Sequence, residues 1–182
     1  MDLDEKKNKS GQGNSRKLAL TGLFAALIML LTCVSFPIGP GYIHLGDAVI
    51  FAACIIIGWR AIPAAAVGSS LADLVLGYVR YAPATFVIKA ATAGIVVLIT
   101  LKNKKVWVQV IAFSLAAIFM QGAYLLFEVL FQTTLFGTAY TFVAVLFLLG
   151  WIQSAVGIPL GIWLAKVLKK IRIEYISDKK EP

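Results

Sequence analysis

Six residues bring charge or titratable chemistry into an otherwise apolar sequence. Asp47, Asp73, Lys89 and Glu128 lie within or at the edges of hydrophobic runs, and His44 and Arg80 lie in the adjoining connections. A charge at the centre of a bilayer costs about 2.5–3.5 kcal/mol on insertion scales, so such groups turn toward one another or toward a cavity. Gln121, Tyr124 and Glu128 follow at i, i+3 and i+7, which places them on one helix face. Together these side chains can recognise a small polar molecule through charge and hydrogen bonds. Chemistry of their own is not expected. The sequence has no glycine-rich phosphate loop, no serine paired with a base and no His/Cys cluster, and a single histidine does not make a metal site. No enzyme activity, cofactor or metal is expected.

Each residue also has a plainer role. Asp73 and Lys89 either form an internal ion pair across the Tyr78–Pro83 turn or contact a ligand directly. Glu128 and Gln121 have no basic neighbour in sequence, which points them at a ligand. His44 either caps the pocket or sits at the interface. Asp47 follows Gly46 at a helix start, where a carboxylate commonly caps free N–H groups, so its expected role is structural. Trp151 and Tyr140 either stack on a flat ligand or pack. Cys33 and Cys54 lack metal-ligand spacing and read as small buried apolar residues.

The elements that hold these groups are membrane helices. Sixty per cent of the 182 residues are hydrophobic and 14% charged, with a mean hydropathy of +0.87, more apolar surface than a soluble fold can cover. A crossing takes about 20 residues. The runs read as six: Leu18 to Phe36, a short second one from about Asp47 to Ile57, Ala61 to Gly77, Ala84 to Leu101, Val106 to Phe131 and Ala139 to Ala165. Pro37, Gly39, Pro40 and Gly41 end the first span, and Gln132 to Thr138 form the last outer loop. Small residues crowd the third run, as helices that approach closely in lipid require.

Residues 1–16 read as a disordered basic cytoplasmic tail, 17–170 as the membrane domain and 171–182 as a second cytoplasmic tail. The net charge of +8 is a topology signal. Fifteen of the seventeen Lys and Arg fall in the tails, at Arg60 and in the Lys102–Lys105 loop. This bias predicts both termini in the cytoplasm, attraction to anionic lipid and no nucleic-acid partner. Traced through that topology, the six charged or titratable residues lie toward the outer ends of their helices. The fold class is therefore an all-α integral bundle of six transmembrane helices in the cell membrane, with an outer loop over an outward-facing pocket.

The stretch Lys17-x-Ala19-x-x-Gly22-x-x-x-Ala26, followed by Tyr42-Ile43-His44-Leu45-Gly46-Asp47, resembles the substrate-binding S component of energy-coupling factor (ECF) vitamin transporters. Ser70-Leu71-Ala72-Asp73-Leu74-Val75-Leu76-Gly77-Tyr78, Tyr81-Ala82-Pro83 and Phe86-x-Ile88-Lys89 are similar to the same family, and the resemblance covers roughly Arg16 to Lys170. It implies a membrane-embedded subunit that captures a vitamin from outside beneath the loop of about Pro37 to Gly46. It also implies partnership with a transmembrane coupling subunit and two cytoplasmic ATPases that supply the ATP hydrolysis. The pocket candidates are His44, Asp73, Tyr81, Lys89, Gln121, Tyr124 and Glu128. Gly22 and Ala26 are the expected docking positions for the coupling subunit, with Thr21 and Ala25 as an alternative register.

The branch it resembles includes carriers of riboflavin, pyridoxine, hydroxymethylpyrimidine and pantothenate, and the residues lean toward pyridoxine or a pyrimidine precursor. Two other classes compete: a solitary proton- or ion-coupled transporter with Asp73 and Glu128 titrating, and a structural membrane protein whose charges only tie helices together.

Overall fold

The computed structural model describes residues 3–38, 41–133 and 140–178, with side chains described over 14–36, 43–131 and 143–171. Its first helix, α1, runs Leu3–Cys33. The tail expected to lack regular structure over 1–16 is thus helical from Leu3. No proline interrupts it, and its Lys, Glu and Gln residues carry the helix through Gly11 and Gly13. Beyond α1 the chain forms an antiparallel hairpin of β1 (Ser35–Ile38) and β2 (Gly41–His44), with Ser35 opposite His44 and Pro37 opposite Tyr42. This hairpin stands where a loop was expected. Its strands are four residues each, too short for a legible alternation, and a two-stranded ribbon has only edge strands, where proline is tolerated. The breakers Gly39 and Pro40 lie outside the described residues.

Helix α2 (Gly46–Ile57) is the centre of the bundle, with every residue from Gly46 to Ile55 buried. That explains its unbroken apolar sequence, since a helix enclosed on all sides needs no polar face. At twelve residues it rises about 18 Å, short of a hydrocarbon core of about 30 Å. Gly58, at φ 58° in the left-handed region, closes it and starts a single 3₁₀ turn into α3 (Ala61–Val75). Helix α3 packs on α1, and its Gly68 meets the backbone of Ala25 so closely that a Cβ would run into the Ala25 carbonyl oxygen. The small residues of the third run therefore serve close approach within the chain.

Helix α4 (Ala82–Thr100) starts with Pro83 in its first turn, where a missing N–H is harmless. Helix α5 (Val106–Phe127) passes into a π-helical turn over Glu128–Thr133. The last outer loop lies outside the described residues beyond Thr133. Helix α6 (Tyr140–Asp178) carries Pro159 internally and continues past Lys170, where a tail was expected to begin. It packs against α2 and α5. At the core, Phe51 of α2 stacks on Phe113 of α5 with ring centroids 4.6 Å apart.

Apart from the hairpin the fold is helical. Among the described residues, five stretches are long and apolar enough to cross a membrane: Asn14–Cys33, Gly46–Val75, Ala82–Thr100, Val106–Phe131 and Val143–Ile171. The expected second and third spans form one continuous stretch, because only a 3₁₀ turn separates α2 from α3.

Candidate functional site

A cavity of about 210 Å³ opens between the ends of α3, α4, α5 and α6, beside the end of β2. His44, Asp73, Tyr81, Lys89, Gln121, Tyr124 and Glu128 all line it. They come from β2, the end of α3, the α3–α4 turn, α4, α5 and the π turn, so the fold gathers into one space residues scattered over 85 positions of sequence. Arg80 is exposed and is not part of the lining.

The ion pair at the floor is not Asp73–Lys89, one of the two readings of those residues. Lys89 bonds Asp47, not Asp73, and both partners are buried. Asp47 is not a helix cap either. Leu45 holds the cap position, and the Asp47 carboxylate, inside the first turn of α2, is turned toward Lys89 and Gln153. The reason is the central position of α2: a side chain in its first turn faces neighbouring helices, where a charge requires a countercharge. Lys89 Nζ also lies 3.2 Å from Met120 Sδ and 5.6 Å from the centroid of the Tyr124 ring, a cation–π approach.

Gln153, which nothing in the sequence marked, ties the floor together. Its Nε2 donates to Asp47 Oδ2 at 2.6 Å, and its Oε1 accepts the backbone N–H of His44 at 3.1 Å. The Gly46 N–H donates to His44 Nδ1 at 3.1 Å, and His44 Nε2 lies 3.3 Å from Gln153 Nε2. Burial is the largest influence on this imidazole and pushes it down to about 4, with Asp47 opposing and Lys89 adding to the depression. His44 is therefore a neutral hydrogen-bonding group at neutral pH.

The walls are braced similarly. Gln121 Nε2 donates to the Gly150 carbonyl at 2.8 Å and to Ser154 Oγ at 3.1 Å, joining α5 to α6. A Cβ on Gly150 would overlap the Gln121 amide, so only glycine admits this bond. Tyr124 donates from its hydroxyl to Thr85 Oγ1 at 3.1 Å, joining α5 to α4. At the rim, Tyr81 hydrogen-bonds the Glu128 carboxylate, and the rings of Tyr78, Tyr81, Phe127 and Phe131 form an aromatic row with centroid spacings of 5.4–6.1 Å. Glu128 is buried, and its Oε2 has no hydrogen-bond partner among the described residues. A buried acceptor left open in a cavity wall is suited to a donor on a ligand. The π turn that holds it is a departure from regular helix often found at functional sites.

Trp151 packs edge-to-face on Phe147 at 6.0 Å and is not in the lining. The Tyr140 side chain lies outside the described residues. Gly22 and Ala26 are exposed on α1, and a Cβ on Gly22 would meet nothing within 4 Å. The buried face of α1 is formed instead by Phe24, Ile28 and Thr32. Among the described residues no group of His, Cys, Asp and Glu is placed to hold a metal ion.

The family model described as ECF-type riboflavin transporter, S component, matches residues 12–170. No curated protein matches the sequence. A solved structure described as the S component of a bacterial ECF transporter superposes with a TM-score of 0.71 at 18% identity, covering 87% of this chain and 98% of that one. At that identity the likeness establishes a shared fold.

Proposed function

Because the chain belongs to the ECF-type riboflavin transporter S component family, multi-pass vitamin-binding subunits and not enzymes, we propose that its ligand is riboflavin, bound in the cavity lined by Lys89, Gln121 and Glu128. The family's name moves the choice of vitamin away from the pyridoxine and pyrimidine end of the range. The observation that carries the site is the convergence of cationic, carboxylate, amide and tyrosine groups on one cavity. Riboflavin has a flat ring system with an imide N–H and carbonyl edge, and a side chain of hydroxyls. The aromatic row of Tyr78, Tyr81 and Phe127 suits the ring face. The open oxygen of Glu128 suits an N–H or O–H donor, and the Lys89 ammonium suits a carbonyl oxygen.

The topology we propose has six passes with both termini cytoplasmic. His44, just before α2, and Asp73, near the end of α3, line the same cavity although they flank the Gly46–Val75 stretch. That placement supports two short passes folding back at Gly58. The concentration of Lys and Arg in the tails, Arg60 and the Lys102–Lys105 loop supports a cavity on the outer side. Delivery inward falls to a coupling subunit docked on the exposed Gly22–Ala26 face of α1 and to two ATPases that hydrolyse ATP.

Titration of riboflavin into the purified chain, followed by quenching of flavin fluorescence, tests the assignment. A dissociation constant in the nanomolar to micromolar range is the expected result. Absence of quenching, together with a thermal shift from pyridoxine, hydroxymethylpyrimidine or pantothenate, would replace riboflavin with that vitamin. Uptake by the chain alone in proteoliposomes, driven by a proton gradient, would replace the whole scheme with a solitary transporter.

A further inference from the structure

A second cavity, of about 270 Å³, lies at the other end of the bundle, between the end of α2, the start of α5 and the late part of α6. Lys104, Lys166 and Lys169 line it, and none of its lining residues is acidic. Ile55, Val106 and Ala165 give it an apolar part. Lys104 Nζ donates to the Ile55 carbonyl at 2.7 Å, which offsets the negative end of α2 at this point. Gln109, 6% exposed, donates from Nε2 to the Lys104 carbonyl at 2.8 Å, while its Oε1 is buried with no hydrogen-bond partner among the described residues. The cavity therefore offers clustered cations together with one open buried acceptor. A ligand that satisfies both is an anion that also bears a hydroxyl.

Its depth identifies the source. Trp59, Trp107 and Trp163 are all more than half exposed, and each is within four residues of a residue lining the cavity. Exposed tryptophans at the ends of apolar spans mark the level of lipid headgroups. Basic pockets between helices at that level take anionic headgroups.

We propose that this cavity binds a phosphoryl group carrying a hydroxyl, supplied by the phosphoglycerol headgroup of an anionic lipid. Lys166 and Lys169 contact the phosphate, Gln109 Oε1 accepts a glycerol hydroxyl, and the acyl chains lie along the exposed apolar surface of α5 and α6. The site is separate from the vitamin cavity: it takes the start of α5 and the late part of α6, where the vitamin cavity takes the end of α5 and the start of α6.

The test is native mass spectrometry of the full chain released from detergent with phosphatidylglycerol or phosphatidylcholine, with melting temperatures measured in parallel with and without inorganic phosphate. The wild type is expected to retain phosphatidylglycerol at least tenfold over phosphatidylcholine. Substituting K166Q and K169Q together should weaken that retention by about 10- to 30-fold, whereas K166R with K169R should keep it. Both lysines are exposed, so the variants' melting temperatures in phosphatidylcholine should match that of the wild type. Equal phosphatidylglycerol retention by wild type and K166Q/K169Q would overturn the site. Stabilisation by inorganic phosphate without any preference for phosphatidylglycerol would overturn the lipid source.

Discussion

Replacing Asp47 with alanine removes the salt-bridge partner of the buried Lys89 ammonium and leaves it the Met120 sulfur, the Tyr124 ring face and the charge of Asp73 across the cavity. It also strips the Gln153 amide of its acceptor. Removing one member of a buried ion pair typically costs about 3–5 kcal/mol, because the remaining charge is uncompensated. A cation–π approach of the kind Lys89 makes returns about 0.5–2 kcal/mol and is already present in the intact protein, so it offsets nothing new. The expected loss is therefore about 3–5 kcal/mol. For a chain of this size about 1 kcal/mol shifts the melting temperature by about 2–4 °C, so the fall should be about 6–20 °C, read by fluorescence-detected melting in detergent. The double replacement D47L with K89M removes both charges and keeps apolar volume, and replacing a buried pair in this way is often neutral for stability. It should recover most of the lost melting temperature while leaving the cavity without its cation and riboflavin binding at least tenfold weaker. A single variant melting within about 2 °C of wild type, or a double variant no more stable than the single one, would refute the assignment of this pair.

Glu128→Gln keeps the shape of the π turn and removes a charged acceptor, so riboflavin affinity measured by calorimetry should fall about 10- to 100-fold with little change in melting temperature. Gly68→Val forces a side chain against the Ala25 carbonyl and should destabilise the chain by about 1–3 kcal/mol, as overpacking does. Gly22→Val meets open space, so its melting temperature should be unchanged while uptake by the assembled transporter drops. His44 sets a pH dependence of stability. Its imidazole is lowered from 6.5 to about 4 in the fold, so the unfolded chain binds the proton first on acidification. Stability is full above pH 6.5 and declines as the pH falls toward 4; melts at pH 7.5 and 5 should differ in the wild type and much less in His44→Asn.

What the sequence makes legible is whatever lipid makes costly. Asp73, Lys89 and Glu128 stand out because a charge in an apolar run demands an explanation, and the i, i+3, i+7 spacing draws Gln121 and Tyr124 in with Glu128. The structure brings all of them to one cavity. Gln153 carries no charge and sits in an ordinary helical run, so nothing in sequence raises it, although it binds both Asp47 and His44. The identity of the Lys89 partner was likewise hidden. Asp73 is nearer in sequence, and only the burial of α2 on every side brings Asp47 within reach. The same enclosure removes the periodicity that would distinguish a short central helix from a lipid-facing span.

The polar residues of the site form two sets that differ in what they have left to give. Lys89 and Gln153 both bond Asp47, and Gln121 bonds to Gly150 and Ser154, so the first task of these groups is to fix α2, α4, α5 and α6 around the cavity. Glu128 lies on a π turn at the rim with an oxygen still open. A binding site needs both sets, since a satisfied network holds a shape without having to reorganise, and an unsatisfied group gives the ligand something to complete. The division predicts opposite phenotypes for residues of one site: loss of stability for the floor, and loss of affinity with stability intact for the rim.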